Sequence, residues 1–342
     1  MLDEHNLDVL FVSSPHNVRY LSGFVEGKDA RIVITKDGPT LITDGRYLLE
    51  AAQQPFPYRI LRNRAEMNRL LGEFFLGRVG IEAEHLSVAT LEGFQQDFPH
   101  LEFVSTRGIF EKLRRKKSPE EIAFIRQAAQ LADQGFMHIL TFLRPGLREI
   151  EVALELEYFL RKNGSEGLAF GTTVASGERG AMPHGGASNR TIQAGELVTL
   201  DFGCVVGGYC SDMTRTVAVG QVSDELRDLY QAVLEAQTLA LEAVAPGQKG
   251  QVLDALARDH LTQLGYGAHF THGLGHGVGL FIHEAPSLSQ ASEEVLEAGN
   301  VITIEPGVYI ANLGGCRIED LVLVTEQGHE VLSQSPKHLI EL

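Results

Sequence analysis

A ten-residue phrase occurs twice in this chain, and it constrains the fold more than any other feature. Residues 194–203 read AGELVTLDFG and residues 298–307 read AGNVITIEPG. Both open on Ala-Gly, run apolar–Thr–apolar, and place a carboxylate two residues before a glycine. The acids are Asp201 and Glu305. A carboxylate at the end of an apolar strand is costly unless its charge is compensated. Two such acids in duplicated settings predict two related halves that present acids to one shared centre, and a metal ion suits that arrangement.

The duplication extends beyond the phrase. Pro145-Gly146 precedes a helical stretch that ends at Asn163-Gly164, and Pro246-Gly247 precedes one that ends near Leu264-Gly265. Longer helical stretches, 119–141 and 225–244, come before each. The order helix, helix, strands thus recurs at an offset of about a hundred residues. This predicts a pseudo-twofold α/β (α+β) domain whose helices cover one face of a curved, largely antiparallel sheet. Ahead of it, residues 7–12, 31–35, 39–43, 58–61, 78–81 and 101–104 read as strands, with Asp37-Gly38 as a hairpin turn. Residues 45–53, 66–75 and 88–98 read as helices, which makes a small α/β domain. The basic run Arg114-Arg115-Lys116-Lys117 reads as a solvated linker. Directly after it, Ser118-Pro119-Glu120-Glu121 carries an N-cap serine, a first-position proline and a capping-box glutamate. Two domains are expected, 1–115 and 116–342, as the length suggests.

The formal charge of -16 argues against nucleic-acid or acidic-membrane partners. No window approaches the ~20 apolar residues of a membrane-spanning helix, and MLDEHNLDVL lacks the basic and apolar regions of a signal peptide. The three cysteines, Cys204, Cys210 and Cys316, are odd in number and have no metal-ligand spacing. Cys204 and Cys210 flank a hairpin turn that could take a local disulfide, but reduced thiols in a cytoplasmic protein are the expectation.

The chemistry lies in the strands after each duplicated phrase. Val206-Gly207-Gly208 is a turn signal. A two-residue turn at Val206-Gly207 would set Asp201 directly opposite Asp212, whereas a turn one residue later requires a bulge to bring them together. Facing anions repel, so either one is protonated or a cation sits between them. The second half repeats the device: Glu305, a turn at residues 312–315, then Glu319 returning opposite. Between the acid pairs lie His272, His276 and His283, in a glycine-rich stretch that lets imidazoles approach a crowded site. One imidazole among four carboxylates favours Mn, Co, Fe or Zn. There are enough anionic oxygens to bridge two ions and activate a water for hydrolysis.

Asp201, Asp212, His276, Glu305 and Glu319 match in order, type and spacing the five metal ligands of the pita-bread metallopeptidases, which include methionine aminopeptidase, aminopeptidase P and prolidase. The chain resembles that family along essentially its whole length. Met182-Pro183-His184-Gly185, Gly275-His276-Gly277, His283-Glu284, Glu305-Pro306-Gly307 and residues 315–320 are shared phrases. Residues 17–24 and 44–47 are similar to the creatinase/prolidase-like N-terminal domain of the proline-specific branch. The resemblance implies two divalent ions per subunit (Mn, Co, Zn or Fe), bridged by Asp212 and Glu319. Asp201 would complete one site, and His276 with Glu305 the other. It further implies a metal-bridging hydroxide as nucleophile and Glu305 as general acid/base. His283 and His184 would hold the carbonyl and its oxyanion, His272 would lie near the proline ring, and Arg317 would fix a carboxylate. Tyr209 is open between supporting the site and packing. The implied substrate is a peptide with proline in second position, and the implied assembly is a homodimer. Compact prokaryotic prolidases are the nearest pattern, so an Xaa-Pro dipeptidase is expected. Aminopeptidase P, acting on longer peptides, is the alternative; a non-catalytic binding protein would have lost ligands. Cys316 lies close to the ligands, where oxidation sensitivity is a further expectation.

Overall fold

In the computed structural model, which describes residues 1–63 and 66–342, the chain divides after Leu113 into two units. The first is built on a six-stranded sheet of order β4-β3-β2-β1-β5-β6. Its strands are β1 (Val9–Val12), β2 (Arg31–Thr35), β3 (Gly38–Asp44), β4 (Tyr58–Leu61), β5 (Arg78–Glu82) and β6 (Glu102–Thr106). β1 is apolar without alternation because both its faces are covered. Val9 and Phe11 join an aromatic cluster with Phe75 and Phe94, while Leu10 and Val12 pack with Ile32, Leu41 and Phe110. Helix α1 (Pro15–Ser22) has no counterpart in the sequence reading. It is short and mostly polar, with Val18 and Leu21 packed on the core, and the buried Glu82 fixes its start by accepting the N–H groups of Ser13 and Ser14 and the Asn17 amide. The stretch 45–53 is a 3-10 turn, Gly45–Tyr47, followed by the short α2 (Leu48–Ala51). α3 (Glu66–Leu71) is likewise shorter than the pattern suggested, α4 (Val88–Asp97) close to it, and α5 (Ile109–Arg115) ends the series.

The second unit shows its duplication in the backbone. α6 (Pro119–Phe142) and α7 (Glu149–Lys162) lead into β7 (Thr173–Ser176), β8 (Glu196–Phe202), β9 (Val205–Val206), β10 (Tyr209–Cys210) and β11 (Met213–Val219). α8 (Asp224–Glu242) and α9 (Gly250–Gln263) lead into β12 (Gly275–Gly277), β13 (Glu284–Leu288), β14 (Val301–Ile304), β15 (Gly307–Ile310), β16 (Gly314–Arg317), β17 (Asp320–Thr325) and β18 (Gly328–Val331). Gly146 N–H bonds Ile192 O before α7, and Gly247 N–H bonds Leu296 O before α9, both at 2.9 and 2.8 Å respectively. Gly195 and Gly299, which open the repeated phrase, share a left-handed backbone with φ of 88° and 93°. The ladders are antiparallel, in sheets of order β11-β8-β7 and β13-β12-β14-β17-β18, with β9–β10 and β15–β16 as ribbons. One apolar core lies beneath α6 and α7 and the other beneath α8 and α9. Ser118 and Glu121 form the expected capping box at the start of α6.

A buried polar network ties the halves together. Arg215 on β11 donates to Asp320 on β17 at 2.7 Å and to Ser335 O at 2.8 Å. Asp320 also accepts from Gln237 at 2.9 Å and from Lys337 at 2.6 Å. The basic run at 114–117 is not the solvated linker expected of it. Arg114 and Lys117 are buried, 6% and 4% exposed, because a buried carboxylate receives them. Among the described residues, no helix is long and apolar enough to cross a membrane.

Candidate active site

The first acid pair sits where a ladder breaks. β8 and β11 pair with Asp201 opposite Thr214, and β9 and β10 pair with Val206 opposite Tyr209. The turn is therefore Gly207-Gly208, one residue later than the turn that would face Asp201 with Asp212. The reason is steric: both central positions have positive φ, 59° and 85°, and a β-branched valine cannot take the first. Pairing is interrupted at Ser211-Asp212, where Ser211 N–H donates to Cys204 O at 2.9 Å and Ser211 Oγ accepts from Cys204 N–H at 3.0 Å. The register is nevertheless the same on both sides, so Asp212 stands opposite Gly203, on the same face as Asp201 and one diagonal step away, without the bulge expected for this turn.

The second pair has the anticipated register. Ile304 faces Asp320 and Gly307 faces Arg317, so Glu305 stands opposite Glu319 at the seam between two ladders. The turn itself spans 311–313, with Asn312 at φ 65°, and Gly314 and Gly315 already belong to β16.

His276 is brought in by β12, which lies against β14. A Cβ on Gly275 would come 2.1 Å from Thr303 O, so glycine is what allows this approach. Thr303 Oγ1 accepts the His276 N–H at 3.1 Å and donates to Glu305 Oε1 at 3.0 Å. Nδ1 of His276 donates to Gly277 O at 3.1 Å. Nε2 is thereby turned toward Glu305 Oε1 at 3.3 Å and Asp212 Oδ2 at 3.6 Å. Asp212, His276 and Glu319 each offer a ligand atom, all within 4.8 Å of one another.

Arg317 joins the two acid pairs. Its Nη2 donates to Asp201 Oδ2 at 2.5 Å, Nε to Thr214 Oγ1 at 3.0 Å, and Nη1 to Tyr309 Oη at 2.8 Å. Thr214 Oγ1 in turn donates to Glu319 Oε2 at 2.6 Å. Tyr309 donates to His272 Nε2 at 2.9 Å, because His272 Nδ1 already donates to Gly273 O at 2.8 Å. Arg258, paired with the buried Asp254, fixes the same segment by bonding Phe270 O at 2.8 Å and His272 O at 2.7 Å.

Charge is out of balance here. Burial and then repulsion from Glu319 push the Asp212 carboxyl well above its usual range, and burial and then Glu305 do the same to Glu319. Burial also raises Asp201, outweighing Arg317. Glu305 is buried too, but its hydrogen bond with His276 brings it down to about 2. Burial disfavours the His276 imidazolium, yet Glu305 prevails and its pKa rises. A proton between His276 and Glu305 occupies a place where positive charge is wanted. Four carboxylates, one imidazole and a single permanent cation are a donor set that fits divalent metal ions.

The nine residues singled out in the sequence, Asp201, Asp212, His276, Glu305, Glu319, His184, His272, His283 and Arg317, all line one cavity of about 530 Å³. Tyr209 does not line it. Its hydroxyl bonds Glu121 at 2.9 Å and its ring stacks on Phe124, so it docks the β9–β10 ribbon onto α6. Sequence reasoning missed Thr214, Thr303, Tyr309 and Arg258. The first two sit two residues from an acid, and threonine in a strand reads as ordinary β-propensity. All three cysteines are buried and none of them is in a disulfide among the described residues. Burial pushes the Cys316 thiol up to about 12, which removes the thiolate that oxidation would need and argues against the expected sensitivity.

Comparison with known proteins gives the family of both units. Residues 123–326 match Metallopeptidase family M24, and residues 1–116 match the Creatinase/Prolidase N-terminal domain. The solved Xaa-Pro dipeptidase from Bacillus anthracis is 44% identical, with a TM-score of 0.94 over 100% of this chain and 97% of that one. The Xaa-Pro dipeptidase of Pyrococcus furiosus is 40% identical over 99% of this chain and 97% of its own. The X-Pro aminopeptidase of Thermotoga maritima is 34% identical, with a TM-score of 0.91 over 98% of each chain.

Proposed function

The chain belongs to metallopeptidase family M24, and from that premise we propose that it is an Xaa-Pro dipeptidase whose cavity holds two divalent ions. The observation that carries this reading is the convergence of four carboxylates and the His276 Nε2 on one cavity, beside three further histidines. Asp201, Asp212, His276, Glu305 and Glu319 would hold the ions. When bound, the ions supply the Lewis acid that lowers the pKa of an attacking water.

The chain's own residues do the rest. Thr303 and His276 both engage Glu305 at Oε1, and the residue lines the cavity. Glu305 takes the proton of the water that adds to the scissile carbonyl. It returns that proton to the prolyl nitrogen as the C–N bond breaks. His283 and His184 face the same space and donate to the carbonyl oxygen as it gains charge. His272, held neutral by burial and fixed by Tyr309, walls the side where the proline ring is placed. Full-length likeness to two dipeptidases supports the dipeptide substrate.

One observation favours the second reading, an aminopeptidase acting on longer peptides. Among the described residues that line the cavity, Arg317 is the one arginine or lysine, and it is engaged by Asp201, Thr214 and Tyr309. A dipeptide's carboxylate finds no other such cation there. Metal-stripped protein assayed with Ala-Pro, Ala-Pro-Gly and Met-Ala-Ser, with and without Mn, Co or Zn, separates these readings. Metal-dependent cleavage confined to Ala-Pro supports the dipeptidase. Cleavage of Ala-Pro-Gly before proline supports the aminopeptidase, and cleavage of Met-Ala-Ser alone overturns the proline preference. We also propose a cytoplasmic homodimer; an active species that light scattering finds purely monomeric would refute the assembly.

A further inference from the structure

Glu284 follows His283, and its carboxylate is buried, 4% exposed. It accepts from Arg114 Nε at 3.2 Å and Nη2 at 2.8 Å, from Lys117 Nζ at 3.2 Å, and from the Phe281 N–H at 3.0 Å. The Phe281 bond closes a tight turn over residues 279–284. Space in that turn is minimal, since a Cβ on Gly279 would lie 2.6 Å from Glu284 Oε2. The turn is pinned elsewhere as well. Cys210 N–H donates to Gly279 O at 2.9 Å, and Gly277 pairs with Glu284 on the neighbouring strand. His283 projects from it with its ring centroid 4.4 Å from that of His276.

The backbone that carries the two cations is itself held by the residues just ahead of β14. Lys117 N–H donates to Gly299 O at 2.9 Å, and the Asn300 amide donates to Arg115 O at 3.1 Å. Residues 299 and 300 lie in the repeated phrase that leads to Glu305. Three charged groups buried together are a poor source of net stability, because desolvation consumes most of the attraction. What such a cluster delivers is a fixed geometry.

We infer that Arg114 and Lys117 are positioning residues for His283, acting through Glu284 to hold its imidazole at the angle from which it meets the substrate carbonyl. The inference rests on the role proposed for His283. A basic run just ahead of the α6 cap thereby becomes part of the active-site framework, although neither side chain lines the cavity. A displacement of about 1 Å at a group that acts in the transition state costs on the order of 100-fold in rate.

The test is a set of variants, R114L, K117M, E284Q, H283A and the doubles R114L/H283A and K117M/H283A. Each is measured for metal content, melting temperature, kcat and KM on the substrate that the intact enzyme cleaves. Expected are full metal content and kcat lowered about 10- to 100-fold in R114L and K117M, with KM changed little. Adding H283A to either should cost nothing further, because both changes remove one function. A crystal structure of K117M should show the His283 ring displaced while His276 and the carboxylates stay in place. E284Q keeps the shape of the carboxylate and reports on the same link if R114L does not fold. Normal kcat in R114L, K117M and E284Q with H283A impaired would overturn the inference, as would additive losses in the doubles. Normal kcat in H283A itself would instead sink the role given to His283.

Discussion

Arg317 shows how much one side chain can organise. It holds Asp201 directly, Glu319 through Thr214, and His272 through Tyr309. Lysine has the charge but not the planar fork, so R317K should keep the fold and lose kcat by about 10- to 100-fold. Steady-state kinetics beside circular dichroism would check this. The acids respond differently. Asp212 and Glu319 have folded pKa values raised above the ordinary 3.8 and 4.5, first by burial and then by neighbouring carboxylates. In the window between the ordinary and the raised values, the folded metal-free protein binds more protons than the unfolded chain. Its stability therefore falls as pH rises through that window. Metal binding must displace those protons, so affinity should climb with pH and calorimetry in buffers of different ionisation enthalpy should record proton release. D212N removes one of the repelling charges. It should stabilise the metal-free protein by on the order of 1–3 kcal/mol while abolishing tight metal binding. Equal or lower stability of metal-free D212N would refute the repulsion.

At the scale of elements, close approaches decide the site. β12 reaches β14 because Gly275 presents no Cβ to Thr303 O. G275A must push β12 away and carry His276 with it, so metal affinity should fall at least 10-fold; titration with Mn or Co would measure it. Much of this level was legible in the sequence. The repeated phrase located β8 and β14, the Glu305–Glu319 register followed from chain spacing, and the capping box fixed the start of α6. The Asp201 hairpin was left open between two turns because the reading weighed the acids and not the φ demand that Gly207-Gly208 meets. Helix α1 was missed because it is short and mostly polar, with Val18 and Leu21 as its core-facing apolar pair, and a distant glutamate, Glu82, fixes its start. Arg114 and Lys117 were read as solvated because their partner, Glu284, is remote in the chain. Local patterns carry elements well, but they cannot report which buried charge will find which.

For the molecule as a whole, the duplication makes each half incomplete. Asp201 and Asp212 come from one half, and His276, Glu305 and Glu319 from the other. The Arg215–Asp320 network binds β11 to β17 directly behind the site. R215L leaves Asp320 with less compensation in a buried setting and should cost about 3–5 kcal/mol in denaturant unfolding. A loss within that of ordinary surface substitutions would show that the network does not couple the halves. Chelation should lower the melting temperature of the intact protein more than that of D212N, because bound metal stabilises only the joined form. The division of ligands between halves also sets an order in time. As synthesis proceeds, the chain acquires Asp201 and Asp212 first, His276 next, and Glu305 and Glu319 last. A domain that folds as a unit cannot close this centre earlier. An unfinished chain therefore lacks part of the proposed hydrolytic site until the last of these residues has emerged and the second half has folded onto the first.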